Sequence, residues 1–290
     1  MAEKLATAVI AEMFLEDSDD EESTDNIPLL GDDKSRIRGY TEDVVPFYTV
    51  DSFRRMFRID IETYKILLGY MEGCPSFYPA GHGRREPISI YRQLLVTLWY
   101  VGGTDSITKI ADRFGMSESS VISCRNNIFS ELINMTDSFI RWPSIQEMAD
   151  ESQEFERRNG FPNIIEAVDG THIEIKAPTS HPQSYVNRKG YHSIQLQCVC
   201  RCNMAFSHVF TGYPGSFHDA RLLKNSDLWG DRLTKCNMVH HILGDGAYKK
   251  WVLTPYCDNG HLDLHQKKYN HLHSSNRVII ERAFAILQIS

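Results

Sequence analysis

The sequence predicts an α/β domain built on a mixed sheet and, ahead of it, an all-α domain containing a helix-turn-helix. Three observations lead there. From Phe53 to about Phe129, apolar residues recur at spacings of three and four, the period of helices buried on one face. From Ile164 onward the pattern changes to short apolar runs and alternation, the period of strands. Four acids, Asp169, Asp219, Asp245 and Glu281, then stand at the ends of such runs or inside a helical pattern, where a structural carboxylate has little reason to be.

A chain of 290 residues with 42% apolar and 24% charged residues has enough material for one large or two ordinary domains. The composition divides it into an acidic tail and linker over 1–46, the helical domain over 47–160 and the α/β domain over 161–290. The formal charge of −7 is a property of the tail, since residues 1–26 hold nine acids against Lys4, and the remainder is nearly neutral. Such an acidic block is expected to be disordered and solvated. The run A-T-A-V-I-A-E-M-F-L is short and interrupted by Glu12, so it predicts a marginal amphipathic helix and neither a secretory signal nor a membrane span. Seven cysteines without such a signal predict free thiols in a reducing compartment.

In the helical domain, Phe53, Phe57, Ile61, Tyr64, Leu67, Leu68 and Met71 predict one amphipathic helix ended by Gly73-Cys74-Pro75. Ile90, Leu94, Leu95, Leu98 and Trp99 predict a second, ended by Gly102-Gly103. The helix-turn-helix is expected over about 105–130. Ile107, Ile110, Ala111 and Phe114 form its first helix, Gly115 its turn, and Ser117 caps a helix with Val121, Ile122, Ile128 and Phe129 inward. Ser117, Ser119, Ser120, Ser123, Arg125 and Asn126 would then face outward, suited to phosphates and base edges but equally ordinary as solvated residues. Ser144-Ile145-Gln146-Glu147 reads as a capping box opening a polar helix to about Arg158.

The α/β domain is expected to begin with a strand at Ile164–Val168, a turn at Gly170 and a second strand at His172–Ile175. His192 to Cys202 alternates as a third strand, on which Cys198, Cys200 and Cys202 share a face. Buried small hydrophobes are the better reading of that C-x-C-x-C than a metal clip. A fourth strand at Met204–Phe210, a helix from Ala220 to Leu228, a fifth strand at His240–Leu243, a His-rich loop and a closing helix bearing Glu281 complete the domain. In mixed sheets, ligand-binding groups collect at strand ends, and strands one and four side by side would unite Asp169 with Asp219. Converging carboxylates repel unless a cation neutralises them, and an all-oxygen donor set selects Mg²⁺ or Mn²⁺. The expected metal ligands are therefore Asp169, Asp219, Asp245 and Glu281. Two such ions suit in-line phosphoryl displacement. No Walker loop, dinucleotide fingerprint or G-x-S-x-G elbow is present to support nucleotide-fuelled or serine chemistry.

The stretches D-G-T-H-I, Y-x-N-R-K-G-Y-H-S, G-S-x-H-D-A-R, L-G-D-x-A-Y-x-x-x-x-L-T-P-Y and V-I-I-E-R-A-F occur here in that order. Together they resemble the PIF/Harbinger transposase family of DDE superfamily endonucleases, which includes the animal Harbinger transposase-derived nucleases. The resemblance runs from about Phe53 to the C-terminus. It implies an RNase H-like catalytic domain in which Asp169, Asp219 and Glu281 are the catalytic acids and Asp245 supports or joins the metal site. It also implies a DNA endonuclease acting through two metal ions, with a Myb/SANT-like DNA-binding protein as accessory partner and residence in the nucleus as well as the cytoplasm. DNA and that accessory protein are the expected partners, further copies of the chain are an open alternative, and no membrane is expected. The family usually follows E-R-A-F with glycine and basic residues. Here the chain reads Ala285-Ile286-Leu287-Gln288 and stops at Ser290, so the domain is expected to be C-terminally truncated relative to the family. The competing expectation is a catalytically silent domesticated transposase serving as a DNA-binding or adaptor protein.

Overall fold

The computed structural model describes residues 36–78, 87–248 and 251–288, so the acidic tail and the apolar N-terminal run lie outside the described residues. What is described divides into two compact units that meet in sequence at Thr136 and Asp137.

The first unit is helical. Its main elements are α1 (Val50–Phe57), α2 (Ile61–Glu72), α3 (Ile90–Gly102), α4 (Ile107–Arg113) and α5 (Glu118–Asn134). Local capping explains where most of them start: the hydroxyls of Thr49, Ser89, Ser106 and Ser117 each accept a hydrogen bond from the backbone N–H three residues on. The single helix expected across Phe53–Met71 is two. Arg58 turns left-handed at φ 58°, which swings Ile59 into the core, and its Nε donates to Gly102 O at 3.3 Å. No glycine or proline marks that break, so the apolar period ran through it. Phe57, Leu67, Met71, Leu94, Leu98, Ile110 and Ile128 are at most 2% exposed and form the centre of the core. Gly115, at φ 61°, makes the tight turn between α4 and α5, where a side chain would meet Ile37 O.

The second unit opens with α6 (Ile145–Asn159), begun by the expected capping box of Ser144 and Glu147 and packed on the sheet. The sheet contains β1 (Ile164–Glu174), β2 (Ser193–Cys200), β3 (Phe206–Pro214) and β4 (His241–Leu243) in the order β3-β2-β1-β4. β1 pairs antiparallel with β2, β2 antiparallel with β3, and β1 parallel with β4, which makes the sheet mixed. The expected hairpin at Gly170 is absent. Ile164–Glu174 is one strand, in unbroken register with β2 from Ala167↔Cys200 to Glu174↔Ser193. Nor are the expected first and fourth strands neighbours, since β2 lies between β1 and β3.

Of the helices that follow β3, the longer two are α7 (Asp219–Asn225), and α8 (Leu264–Gln288), which absorbs most of the expected His-rich loop. Asp263 starts α8 by accepting from Gln266 N at 2.8 Å, and His273, 2% exposed, is bonded to Leu253 O at 3.0 Å. One face of the sheet buries Cys198 and Leu196 with Ile280, Ala283 and Phe284 of α8. The other buries Val168 and Val199 with Leu223, Leu228 and Tyr248. Cys198, Cys200 and Cys202 are buried free thiols whose pKa values burial pushes up, as expected of small hydrophobes. Among the described residues no helix is long and apolar enough to cross a membrane.

Candidate functional site

Three of the four sequence-derived acids come near one another where β4 ends beside the middle of β1. Asp169 projects from the middle of β1, where Cys198 lies opposite it on β2. Asp245 follows β4, which runs parallel to β1 and beside it, so the two strands deliver their acids in the same direction. Asp219 opens α7 after the chain has left β3 through Pro214 and crossed back over β2, where Gly215 N donates to Ser193 O at 2.7 Å. Gly170 explains how Asp219 comes so near β1. A Cβ at that position would lie 2.5 Å from Asp219 Oδ1, so the glycine makes room for a carboxylate and does not turn the chain. Gln195 holds the same Oδ1 through its amide.

The electrostatics follow from this packing. Burial pushes the Asp169 carboxyl up to about 6, with further upward pressure from Asp245 and then Asp219, while Arg277 and the Gly170 N–H oppose it. Asp219 is also raised, first by burial and then by Asp245, against the pull of His172, Arg188 and His218. Asp245 is thus the acid felt by both others. Burial lowers the pKa of His172, whose Nδ1 lies 3.1 Å from Ser193 Oγ. Arg188 bonds His218 Nδ1 at 2.6 Å, which sets a cation on the flank of Asp219.

Glu281 joins this group only through an arginine. Arg277 Nη1 donates to Asp169 Oδ2 at 2.8 Å and its Nη2 to Glu281 Oε1 at 2.5 Å, one helical turn along α8. Asp169 and Arg277 are 18% and 22% exposed at the side chain, whereas Glu281 is 50% exposed. Among the described residues no three His, Cys, Asp or Glu side chains lie close enough together to hold a metal ion as they stand.

Sequence reasoning gave Arg277 and Tyr248 no part in the site. Only the i, i+4 spacing of Arg277 to Glu281 was visible in sequence, and many solvated helices have it. Tyr248 lies in the L-G-D-G-A-Y stretch and is wholly buried. Its ring packs against Gly244, its N–H donates to Asp245 O at 3.1 Å, and its hydroxyl has no hydrogen-bond partner. Burial raises its pKa, and Asp219, Asp169 and Asp245 add to that, so a phenolic donor stands within the field of three carboxylates. In the helical unit, the outward set has mixed roles. The Ser117 hydroxyl caps α5 and bonds Ser120, and Arg125 stacks on Tyr100, which leaves Ser119, Ser123 and Asn126 exposed.

Asp169, Asp219 and Asp245 thus lie near one another beside a mixed sheet, with Glu281 on the closing helix linked to Asp169 through Arg277. Residues 168–289 match the DDE superfamily endonuclease family. The chain carries a DDE superfamily endonuclease domain and is similar to Harbinger-derived proteins. "Putative nuclease HARBI1" of Rattus norvegicus is 33% identical over 216 residues, covering 70% of this chain and 59% of that protein. The Homo sapiens protein of the same name is 32% identical with the same coverage. "Protein ALP1-like" of Arabidopsis thaliana is 27% identical over 257 residues, covering 82% of this chain and 62% of that protein. The chain therefore spans about 59% of the length of the nuclease-named relatives it matches. No solved structure matches it.

Proposed function

We propose that the protein is a metal-dependent DNA endonuclease of Harbinger transposase origin, with an RNase H-like catalytic domain. The observation that carries this reading is the proximity of Asp169, in the middle of β1, to Asp219 and Asp245 inside the matched endonuclease domain. The donor chemistry fits a hard divalent cation. Every candidate ligand is a carboxylate, and burial together with mutual charge raises the protonation range of Asp169 and Asp219, a cost that a cation would remove. Asp169, Asp219 and Asp245 would hold Mg²⁺ or Mn²⁺, and Glu281 would complete the set once Arg277 released it. Bound there in a pair, such ions supply an activated water and stabilise the leaving oxygen of an in-line displacement.

The chain's own residues do the rest. Asp169, Asp219 and Glu281 are the catalytic acids of this reading, and Asp245, felt by both aspartates, acts with them. Gln195 and the Gly170 gap fix the Asp219 carboxylate. Arg188, Lys189 and Arg221 contact phosphate, and the α4–α5 pair serves as a helix-turn-helix on duplex DNA. Nuclear residence, a Myb/SANT-like accessory partner and self-association belong to the same reading.

One observation favours a second reading, a catalytically silent DNA-binding or adaptor protein. The Arg277 guanidinium already neutralises Asp169 and Glu281, as a cation would. Nicking of supercoiled plasmid in Mg²⁺ or Mn²⁺ separates the two. The nuclease reading expects metal-dependent nicking that falls on the order of 10²-fold or more in Asp169→Asn and in Asp245→Asn. No nicking from folded protein would favour the silent reading, and equal nicking by wild type and variants would mean a contaminant or a site other than these acids.

A further inference from the structure

Beside the acids runs an aromatic ridge that no core uses. Phe210 and Tyr213 stand on β3, an edge strand, opposite Gln197 and Gln195 of β2. Phe217 follows in the crossing that leads to Asp219. The rings form a continuous series: centroids are 5.7 Å apart from Phe210 to Tyr213, with planes at 37°, and 4.8 Å apart from Tyr213 to Phe217, at 41°. The Arg221 guanidinium closes the series 5.3 Å from the Phe217 ring. All three rings remain partly exposed, and none belongs to either hydrophobic core of the sheet unit. Apolar rings at a sheet edge that add nothing to a core have another use when a ligand with a flat apolar face is available.

Their surroundings select that ligand. Gln195 is paired with Tyr213 across the strands and holds Asp219 by its amide, so the ridge and the acid share one support. Arg221 lies at the end of the ridge, and Arg188, bonded to His218 beside Phe217, adds a second cation. Arginines next to stacked aromatic rings match a nucleic-acid single strand, whose bases present flat faces and whose phosphates carry the charge. Duplex DNA hides those faces. We propose that Phe210, Tyr213 and Phe217 form a stacking platform for unpaired bases of the DNA strand whose phosphate lies at the acids, with Arg221 and Arg188 on its backbone. This rests on the nuclease reading for its substrate and adds a preference for locally unpaired DNA.

Binding measured without metal tests the platform independently of cleavage. The probe is a fluorescein-labelled twelve-nucleotide oligo(dT), followed by anisotropy in EDTA with the full 290-residue chain, beside a duplex of the same length. Tyr213→Leu and Phe217→Leu are each expected to weaken oligo(dT) binding by roughly 5- to 150-fold, the range of one lost base stack, and duplex binding by less than about twofold. Tyr213→Phe keeps the ring and is expected to bind oligo(dT) like the wild type, which separates stacking from loss of the hydroxyl and serves if the leucine variants fail to fold. Equal affinity of folded leucine variants and wild type for oligo(dT), or an equal loss on single strand and duplex, would overturn the platform. So would a Tyr213→Phe as weak as the leucine variant. Ring-dependent oligo(dT) binding by a protein that nicks no plasmid would leave the platform standing and remove the nuclease reading.

Discussion

The two units treat their buried polar groups differently. In the helical unit, among the described residues, only Thr41 and Arg92 bury side-chain polar atoms without a hydrogen-bond partner. In the sheet unit Glu166, Gln195, Gln197, His208, His240, Tyr248 and Trp251 all do. Partnerless buried polar atoms each cost about 1–3 kcal/mol, so they persist where something other than stability keeps them. Gln195 and Tyr248 stand around the acids. The helical unit reads as a part whose local signals agree with one another, and the sheet unit as one that gives up stability near its site.

The largest stability effect that could break this comparison belongs to the helical core. Phe57 is 1% exposed and packs against Phe53 and Trp99. Phe57→Ala is expected to cost about 3–5 kcal/mol in denaturant unfolding followed by circular dichroism, because it leaves a cavity among rigid rings. A loss under about 1 kcal/mol would mean that this core is not the well-packed one described.

A pH-dependent effect sharpens the contrast from the other side. Glu166 is wholly buried in the sheet unit, and burial raises its carboxyl to about 8, with Ser207, Arg201 and Lys235 offsetting only part. The folded state then keeps a proton that the unfolded chain, with an ordinary pKa of 4.5, has lost. The stabilising protonation is fully present below that ordinary value and is lost as pH rises through the folded one, so unfolding free energy falls between about pH 4.5 and 8. One such proton accounts for roughly 1.4 kcal/mol per pH unit. Thermal melts of Glu166→Gln are expected to lose much of that fall, with the variant overtaking wild type toward pH 8. Parallel pH profiles would show that Glu166 is not the group concerned.

The smallest effect tests the capped helices. Thr49 caps α1 from an exposed position, accepting from Ser52 N at 3.2 Å. Thr49→Ala is expected to cost about 1 kcal/mol in the same unfolding measurement, whereas no change would remove this cap from the account.

How much of this was legible in the sequence depended on whether the signal was local. Caps at Thr49, Ser89, Ser106, Ser117 and Ser144 sit a few residues from the groups they satisfy, and the helices they start were readable except where Arg58 turns left-handed. The acids were visible because a carboxylate after an apolar run is conspicuous. Their neighbours were not. Asp-Gly at 169–170 reads as a turn by local chemistry, yet the strand continues and the glycine answers to Asp219, forty-nine residues away. The interposed β2 falsified the simple pairing of strands one and four, although the crossing through Gly215 still brought Asp219 to β1. Arg277 bridges side chains 108 residues and one helical turn away, and only the second relation leaves a mark in sequence.

That bridge makes cation binding the most direct test of the site. Isothermal titration of Mn²⁺ into the wild-type chain at pH 7.5 is expected to show binding, abolished in Asp169→Asn and in Asp245→Asn. Because Asp169 takes up a proton at about pH 6, affinity is expected to fall as pH drops through that value. The same titration of Arg277→Gln is expected to show tighter binding, since Asp169 and Glu281 lose the guanidinium that competes for them. No heat from folded wild type, or the same affinity in the two asparagine variants, would contradict a metal site built from these acids.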